Sequence, residues 1–387
     1  MRHSALYAAF DRVPSAKGAA IHIAHTVRAL DCAAGGALLV CASDGELPDR
    51  EREGDIEVRR FGAGAPDFVS RIHAYQRGLA ATLRAHRASL GLCHFRDPWS
   101  GIPILQARGQ WKTIYEVNGL PSIELPYRYP RLAAHTLERI RAMEAHCLEH
   151  ADFILTPSAT IADNLVARGL RRQRITVIPN GADLTGQAER PAGAPERYVL
   201  YFGALQPWQG VASAVAALPL LADTGLALVI CSSHPDSVGI ALKARAEMLG
   251  VAGRIVWRHL LSREALAPWI AHALAALAPL TESPRNLEQG CCPLKILEAM
   301  AAGTPVIASD IQPVRELVTH REHGLLVRAG RPEPLARAIR ELDDSPALRK
   351  SLGICARERV RANYTWEEIE RRTERWYRKA VLTEGGR

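Results

Sequence analysis

Pro293-Leu294-Lys295-Ile296-Leu297-Glu298-Ala299-Met300-Ala301-Ala302-Gly303-Thr304-Pro305-Val306-Ile307-Ala308-Ser309-Asp310 reads as a short helix followed by a buried strand. Pro293 suits a first helical turn, where its missing N–H costs nothing. Leu294, Leu297 and Met300 recur at helical spacing. Gly303 falls where a helix end wants a residue that tolerates positive φ, and Val306-Ile307-Ala308 is a run suited to a strand covered on both faces. Lys295 and Glu298 do not belong to a plain core helix. They stand three residues apart and share a face. A lysine beside a helix N-terminus makes an anion site, and a glutamate one turn on can accept hydrogen bonds from sugar hydroxyls. A phosphate next to a polyol describes a nucleotide sugar.

Working outward, 387 residues with 48% hydrophobic and 23% charged side chains are enough for two or three domains with full cores. No apolar run is long enough to span a bilayer. Met1 to Tyr7 lacks the apolar stretch of a leader, and His22 and His25 interrupt the next one. The expectation is a cytoplasmic protein. The eight cysteines are scattered with no C-x-x-C pair, which indicates neither a zinc site nor a disulfide framework. Cys291-Cys292 is their only cluster and reads as a pair of small loop residues. A net charge of +8 favours anionic partners. The arginines are spread out, with no basic block interleaved with aromatics, which argues against nucleic acid.

The rest of the chain alternates strands and helices. Ala5 to Phe10 is a first buried strand, Asp11 to Gly18 a loop, and Ala19 to Leu30 a helix, the opening βα unit of a doubly wound domain. Strands follow at Ala37–Ala42, at Ile56–Phe61 (more exposed), at Gly91–Arg96 and at Thr113–Gly119. Arg96 and Asp97 fall at the C-terminal end of a strand, where parallel sheets bind ligands. Glu116 is a carboxylate in a buried strand and needs a partner or a function. Pro121 to Arg131 reads as a Tyr- and Pro-rich loop whose Tyr127, Arg128, Tyr129 and Arg131 rim an acceptor or touch a membrane surface. A long helix over 132–149 and a strand over 151–158 precede Ile178-Pro179-Asn180-Gly181-Ala182-Asp183. Thr185 to Glu196 has linker composition. A second βα series starts at Tyr198–Gly203, with a helix over 211–221 and strands at 226–231, 254–258 and 324–327. Thr281 to Cys292 is a loop. Helices over 332–343 and 346–360 follow, and Thr365 with Glu368 forms a capping box for a last helix.

The run P-L-K-I-L-E-A-M-A-A-G-T-P-V-I-A-S-D resembles the donor-binding signature of family GT4 retaining glycosyltransferases, which have the GT-B fold. A-D-F-I-L-T-P-S, I-P-N-G-A-D and Y-E-V-N-G resemble further motifs of that family, and the likeness covers nearly the whole chain. It implies an α/β fold of two Rossmann-like domains facing across a cleft. These are an acceptor-side domain over 1–184, joined by the C-terminal helix of about 363–382, and a nucleotide-sugar domain over 197–362. It implies a donor site at Gly203, Gln209, Gly210, His259, Gly290, Cys291, Cys292, Lys295, Leu297 and Glu298, with Glu298 on the ribose. Catalytic roles fall to Glu116, Asn118 and Arg96, with Asn118 where many members carry a histidine. Lys17, Gly18 and Asp97 fall on the acceptor side, and His94 is structural.

Two departures stand out. Where the family places an arginine and a lysine on the donor diphosphate, this chain has Ala204 and Gln209, so Lys295, or less well Arg285, must supply the charge. Trp208 covers the diphosphate or packs. Where the family has a first glutamate eight residues before the second, this chain has Gly290. There is no D-x-D motif, so no metal and no cofactor is implied beyond the nucleotide diphosphate sugar. The partners implied are that donor, a glycan or lipid-linked acceptor and the inner face of a membrane, with no nucleic acid. The expected activity is retaining transfer to a hydroxyl acceptor in polysaccharide or glycoconjugate synthesis. The alternatives are a non-catalytic binding subunit of the same fold and a nucleotide-sugar epimerase.

Overall fold

The computed structural model describes residues 4–15, 17–186 and 188–382. They fall into two compact units, one made of residues up to Pro179 together with those from Ile369 onward, the other of Asn180–Glu368.

The first unit carries an eight-stranded sheet: β1 Ala5–Arg12, β2 Ala37–Ala42, β3 Arg50–Glu53, β4 Ile56–Phe61, β5 Leu92–Phe95, β6 Lys112–Glu116, β7 Phe153–Thr156 and β8 Ile175–Val177. Its order is β3-β4-β2-β1-β5-β6-β7-β8, parallel throughout except for β3, which pairs antiparallel with β4. Six helices connect the strands: α1 Gly18–Ala34, α2 Phe68–Ala85, α3 Pro98–Gln106, α4 Pro121–Arg128, α5 Ala134–His150 and α6 Ala159–Ala167. All six residues of β2 are buried, as a strand covered on both faces requires. The chain moves outward from β1 to β2 and β4, then returns to place β5 on the other side of β1. The crevice at the C-terminal ends of β1 and β5 is thus a topological switch point, where open α/β sheets bind ligands.

One expectation needs correcting here. Pro121 to Arg131 is not a loop. Its first eight residues form α4, because Pro121 sits in the first turn, where proline is tolerated. The strand at Ile56–Phe61 is more exposed than β2, as expected, and β3 pairs along its free side; all four residues of β3 are exposed charges suited to an edge.

The second unit carries a six-stranded, wholly parallel sheet: β9 Tyr198–Gly203, β10 Ala227–Ser232, β11 Ile255–His259, β12 Ala275–Ala278, β13 Val306–Ser309 and β14 Gly324–Val327. The order β11-β10-β9-β12-β13-β14 puts its switch point between β9 and β12. Helices α7 Val211–Ala217, α8 Ile240–Met248, α9 Arg263–Ala271, α10 Leu294–Ala301, α11 Gln312–Arg315, α12 Pro332–Asp344 and α13 Pro346–Asn363 complete it. The helix expected over 211–221 is α for one stretch only and tightens to 3₁₀ from Leu218, beside Pro219. The loop expected over 281–292 contains a wide π-type turn at Arg285–Gln289. No helix or strand occurs among the described residues between Ala182 and Tyr198. The last helix, α14 Trp366–Trp376, is capped by Thr365, whose hydroxyl accepts from the Glu368 N–H at 3.3 Å. From Ile369 its residues belong to the first unit, as does the π-type turn Tyr377–Leu382. No described helix is long and apolar enough to cross a membrane.

Candidate functional site

The second unit places its site at the β9/β12 switch point. β9 ends on Gly203, whose φ of +114° is open to glycine but strained for other residues. The chain then makes a tight turn at Pro207–Gln209 and passes through Gly210 (φ +67°), where a Cβ would lie 1.8 Å from the Pro279 carbonyl oxygen just beyond β12. Two bonds hold this turn to the facing loop, and a third braces that loop internally. The Trp208 carbonyl accepts from the Thr281 N–H at 3.0 Å and from Asn286 Nδ2 at 2.9 Å, and Asn286 Nδ2 also reaches the Thr281 carbonyl at 2.8 Å.

Lys295, in the first turn of α10, points into this arrangement. Its Nζ donates to Gln209 Oε1 at 2.6 Å and to the Tyr201 hydroxyl at 3.0 Å, and lies 4.0 Å from the centre of the Tyr201 ring. All of these partners are neutral. Burial pushes the ammonium down to about 7, with Glu298 and the Cys291 thiol only partly opposing it. Glu298, one turn along α10, is raised by burial, while Arg263 and Lys295 draw it back. Arg263, the first residue of α9, lies 3.9 Å from Glu298 Oε1 and 3.2 Å from Asp183 Oδ2. At the entry to α10, Asn180 Nδ2 donates to the Cys292 carbonyl at 2.7 Å. Gly290 (φ +83°) closes the preceding turn, its carbonyl 3.3 Å from Arg285 Nη1. Cys291 and Cys292 are buried, and burial raises both thiols.

Gly203, Gln209, Gly210, Lys295 and Glu298 are therefore gathered at one switch point, with Cys291 beside Lys295. Two expected donor residues differ. Leu297 is fully buried in the unit's core, so its side chain serves packing. The His259 ring is spent locally, with Nε2 2.8 Å from Asp236 and Nδ1 3.1 Å from the His234 carbonyl.

The first unit gathers its polar side chains around Glu116, at the end of β6 and only 1% exposed. Five polar groups surround its carboxylate: His22 Nε2 (2.5 Å), Arg96 Nη1 (3.0 Å) and Asn118 Nδ2 near Oε1, Tyr7 hydroxyl (2.7 Å) and His94 Nε2 (3.0 Å) near Oε2. Burial alone would raise this carboxyl; His22, His94 and Arg96 instead hold it well below the usual range. With its lone pairs so fully engaged, Glu116 is an anchor that fixes its neighbours. His94 Nε2 faces Oε2 without an aligned hydrogen bond, while its Nδ1 pairs with the Tyr377 hydroxyl at 2.6 Å, and burial lowers the ring's pKa.

Glu116, Asn118 and Arg96 thus meet at one point. Asp97 does other work: it caps α3, accepting from the Ser100 N–H at 2.8 Å, and also accepts from the Phe10 N–H at 2.6 Å. Lys17 occupies the N-cap position of α1 without a side-chain capping bond, and Gly18 is that helix's first residue. Sequence reasoning passed over His22, Tyr7 and Tyr377, and in the second unit Tyr201 and Arg263. The available signal was His22, a polar residue on the apolar face of α1. Among the described residues, no group of three or more His, Cys, Asp or Glu side chains is arranged to hold a metal ion.

Two α/β units, each with a polar cluster at its own switch point, define the GT-B class of fold. The model for glycosyl transferases group 1 matches residues 196–344, and that for the glycosyl transferase 4-like domain matches residues 17–181. The chain belongs to the group 1, GT4-like glycosyl transferase family. It is similar to glycogen synthase of Mycobacterium tuberculosis, 32% identical over 62% of this chain and 57% of that one, so it spans little more than half of that relative's length. It is 26% identical to the D-inositol 3-phosphate glycosyltransferase of Corynebacterium glutamicum over 84% of this chain and 80% of the relative. Among solved structures, sucrose-phosphate synthase from Thermosynechococcus elongatus shares the fold at a TM-score of 0.80, with 22% identity over 98% of this chain and 99% of that one. HepE of Anabaena, solved with UDP-glucose, shares it at 0.74, with 16% identity over 96% and 99%.

Proposed function

We propose that this protein is a retaining glycosyltransferase that moves a sugar from a nucleotide diphosphate sugar to a hydroxyl acceptor in polysaccharide or glycoconjugate synthesis. The observation that carries this reading is Lys295: a cation in a partly buried, neutral cage, at a switch point, beside two glycines that let backbone and ligand approach closely. Such a charge is complementary to a diphosphate, and Glu298 one turn away is placed for ribose hydroxyls. The family membership and the UDP-glucose bound to HepE agree with this reading.

In this mechanism the bond between the sugar's anomeric carbon and the phosphate oxygen breaks, and a bond to the acceptor oxygen forms on the same face. The acceptor's proton passes to the departing phosphate, and Lys295 meets the charge that grows there. The groups that Glu116 fixes, Arg96 and Asn118 with His22, orient the acceptor in the first unit. The proposed acceptor is a glycan or a lipid-linked glycan met at the cytoplasmic face of a membrane. The reaction needs no metal in this reading.

A second reading, a non-catalytic binding subunit, is favoured by one feature: Ala204, Gln209 and Gly290 stand where the family resemblance implies an arginine, a lysine and a glutamate. A thermal-shift screen against UDP-, GDP- and ADP-sugars, with and without magnesium, tests the donor site. A selective rise in melting temperature without metal supports it, and a folded protein that answers to none of them overturns it. NMR of the anomeric proton in a transfer product separates retention from inversion, and absence of any product despite donor binding favours the second reading.

A further inference from the structure

We propose that Gln209 is a positioning residue that gives this donor site one titratable cation, so that a nucleotide sugar binds together with a proton. The inference rests on the reading of Lys295 as the cation of the diphosphate.

An ammonium has three N–H donors. In Lys295 two are directed, one to Gln209 Oε1 and one to the Tyr201 hydroxyl. Tyr201 is itself committed, donating to the Ala204 carbonyl at 2.5 Å. Among the described residues, no carboxylate forms an ion pair with Lys295. The third N–H and the whole net charge are left for a ligand. The Tyr201 ring closes one side, and the ammonium lies 3.5 Å from where a Cβ on Gly203 would be.

Gln209 can aim the lysine because its own backbone is fixed. Its N–H donates to the Gln206 carbonyl at 2.9 Å, Gly210 after it is wedged against Pro279, and Trp208 before it is held by Thr281 and Asn286. An amide oxygen suits this post. A cation there would repel Lys295, and a carboxylate would neutralise it.

The charged and titratable groups that face Lys295 come from every surrounding element. Tyr201 comes from β9, Cys291 from the loop before α10 with Arg285 beside it, and Glu298 from α10 itself with Arg263 behind it. None of them forms an ion pair with the ammonium in the free site. Burial therefore prevails, and Lys295 in the empty site titrates at about 7. A bound pyrophosphate favours the charged form. Below that pH the proton is already present. Above it, each ligand must bring one in, and affinity falls as pH rises, by about tenfold per unit while the free site stays neutral and the bound site stays charged.

The test is calorimetry of the full chain with UDP-glucose, GDP-mannose and ADP-glucose, whose pyrophosphate groups do not titrate near neutrality, in buffers of different ionisation enthalpy. Wild type should take up close to one proton per ligand at pH 8 and almost none at pH 6, and bind about fivefold more weakly at pH 8 than at pH 7. Lys295→Arg, with a fixed charge, should bind with no proton uptake. Gln209→Glu should lose the uptake and bind at least tenfold more weakly, with an unchanged melting temperature showing that it folds. Ligand binding by wild type with no proton uptake at pH 8, or a Gln209→Glu variant with wild-type affinity and uptake, overturns this inference and leaves the donor site standing. Failure of the folded wild type to bind any of the three overturns the donor site itself, and this inference with it.

Discussion

Asn180 Nδ2 and the Cys292 carbonyl oxygen are 2.7 Å apart, in a bond that ties the I-P-N-G-A-D turn to the entry of the helix bearing Lys295 and Glu298. Both residues are buried. Asn180→Ala leaves that carbonyl without its donor, at a cost of about 1–3 kcal/mol, and lets α10 shift. We expect lower denaturation midpoints and weaker nucleotide-sugar binding together. Asn180→Asp should be worse, because a carboxylate oxygen would face a carbonyl oxygen. Full donor affinity in either variant would show that the bond does not position α10.

Glu298→Ala should abolish measurable donor binding if this carboxylate holds the ribose. Burial raises Glu298 above the usual carboxylate range, so its charge costs folding energy that the variant recovers. Unfolding experiments should therefore show stability unchanged or slightly increased while calorimetry shows affinity lost. Unchanged donor affinity would remove the ribose assignment.

Two glycines at the same site should respond differently to alanine. At Gly210 the new Cβ would overlap the Pro279 carbonyl at 1.8 Å, so the turn must move, taking Gln209 and donor binding with it. At Gly203 the nearest atom is Lys295 Nζ at 3.5 Å, an ordinary contact. There the cost is mainly the positive φ, about 1–2 kcal/mol. Melting temperature and donor affinity measured side by side should rank Gly210→Ala well below Gly203→Ala. Equal effects would mean that backbone strain alone governs both positions.

Glu116→Gln should remove transfer while leaving donor affinity intact. Loss of its charge breaks a buried pair with Arg96 and turns one acceptor oxygen into a donor facing other donors, a cost of about 3–5 kcal/mol. Because His22, His94 and Arg96 hold Glu116 well below the usual carboxylate range, its contribution is fully present above that range and is lost as pH falls through the folded-state value. The variant should show a flatter loss of stability in acid than wild type. Tyr377→Phe, which removes only the hydroxyl on His94, should cost about 1 kcal/mol and lower turnover by less. A Glu116→Gln protein with wild-type turnover would take the carboxylate out of the acceptor site.

The parts of this molecule that could be read in advance are those whose cause is local. Gly303 adopts φ +74° just after α10, and Val306–Ser309 is the buried strand that its apolar run foretold. Lys295 and Glu298 share a helix, so their spacing alone placed them together. Gln209 and Lys295 are 86 residues apart, and nothing in either segment announces the other. The same holds for Tyr377 and His94, which are 283 residues apart. His22 is visible as a polar residue on an apolar helix face, but its partner Glu116 comes from β6, the fifth strand after that helix. β3 escaped notice because Arg50-Glu51-Arg52-Glu53 has no apolar alternation and owes its strand to pairing with β4. α4 escaped because Pro121 and Pro126 resemble loop punctuation, although the first sits where a helix accepts it.

The first unit is not continuous in the chain: it opens before Asn180 and resumes at Ile369. A ribosome therefore releases Tyr7, His22, His94, Arg96 and Glu116, then the whole of Asn180–Glu368, and only then Tyr377. The unit that encloses Lys295 is complete as soon as its own uninterrupted segment emerges, and domains tend to fold as units in that way. The unit that starts first is finished last. Through that interval the nascent chain carries His94 without its tyrosine partner. Completion of the unit around Glu116 is thereby timed to follow that of the unit around Lys295 by the order of translation alone.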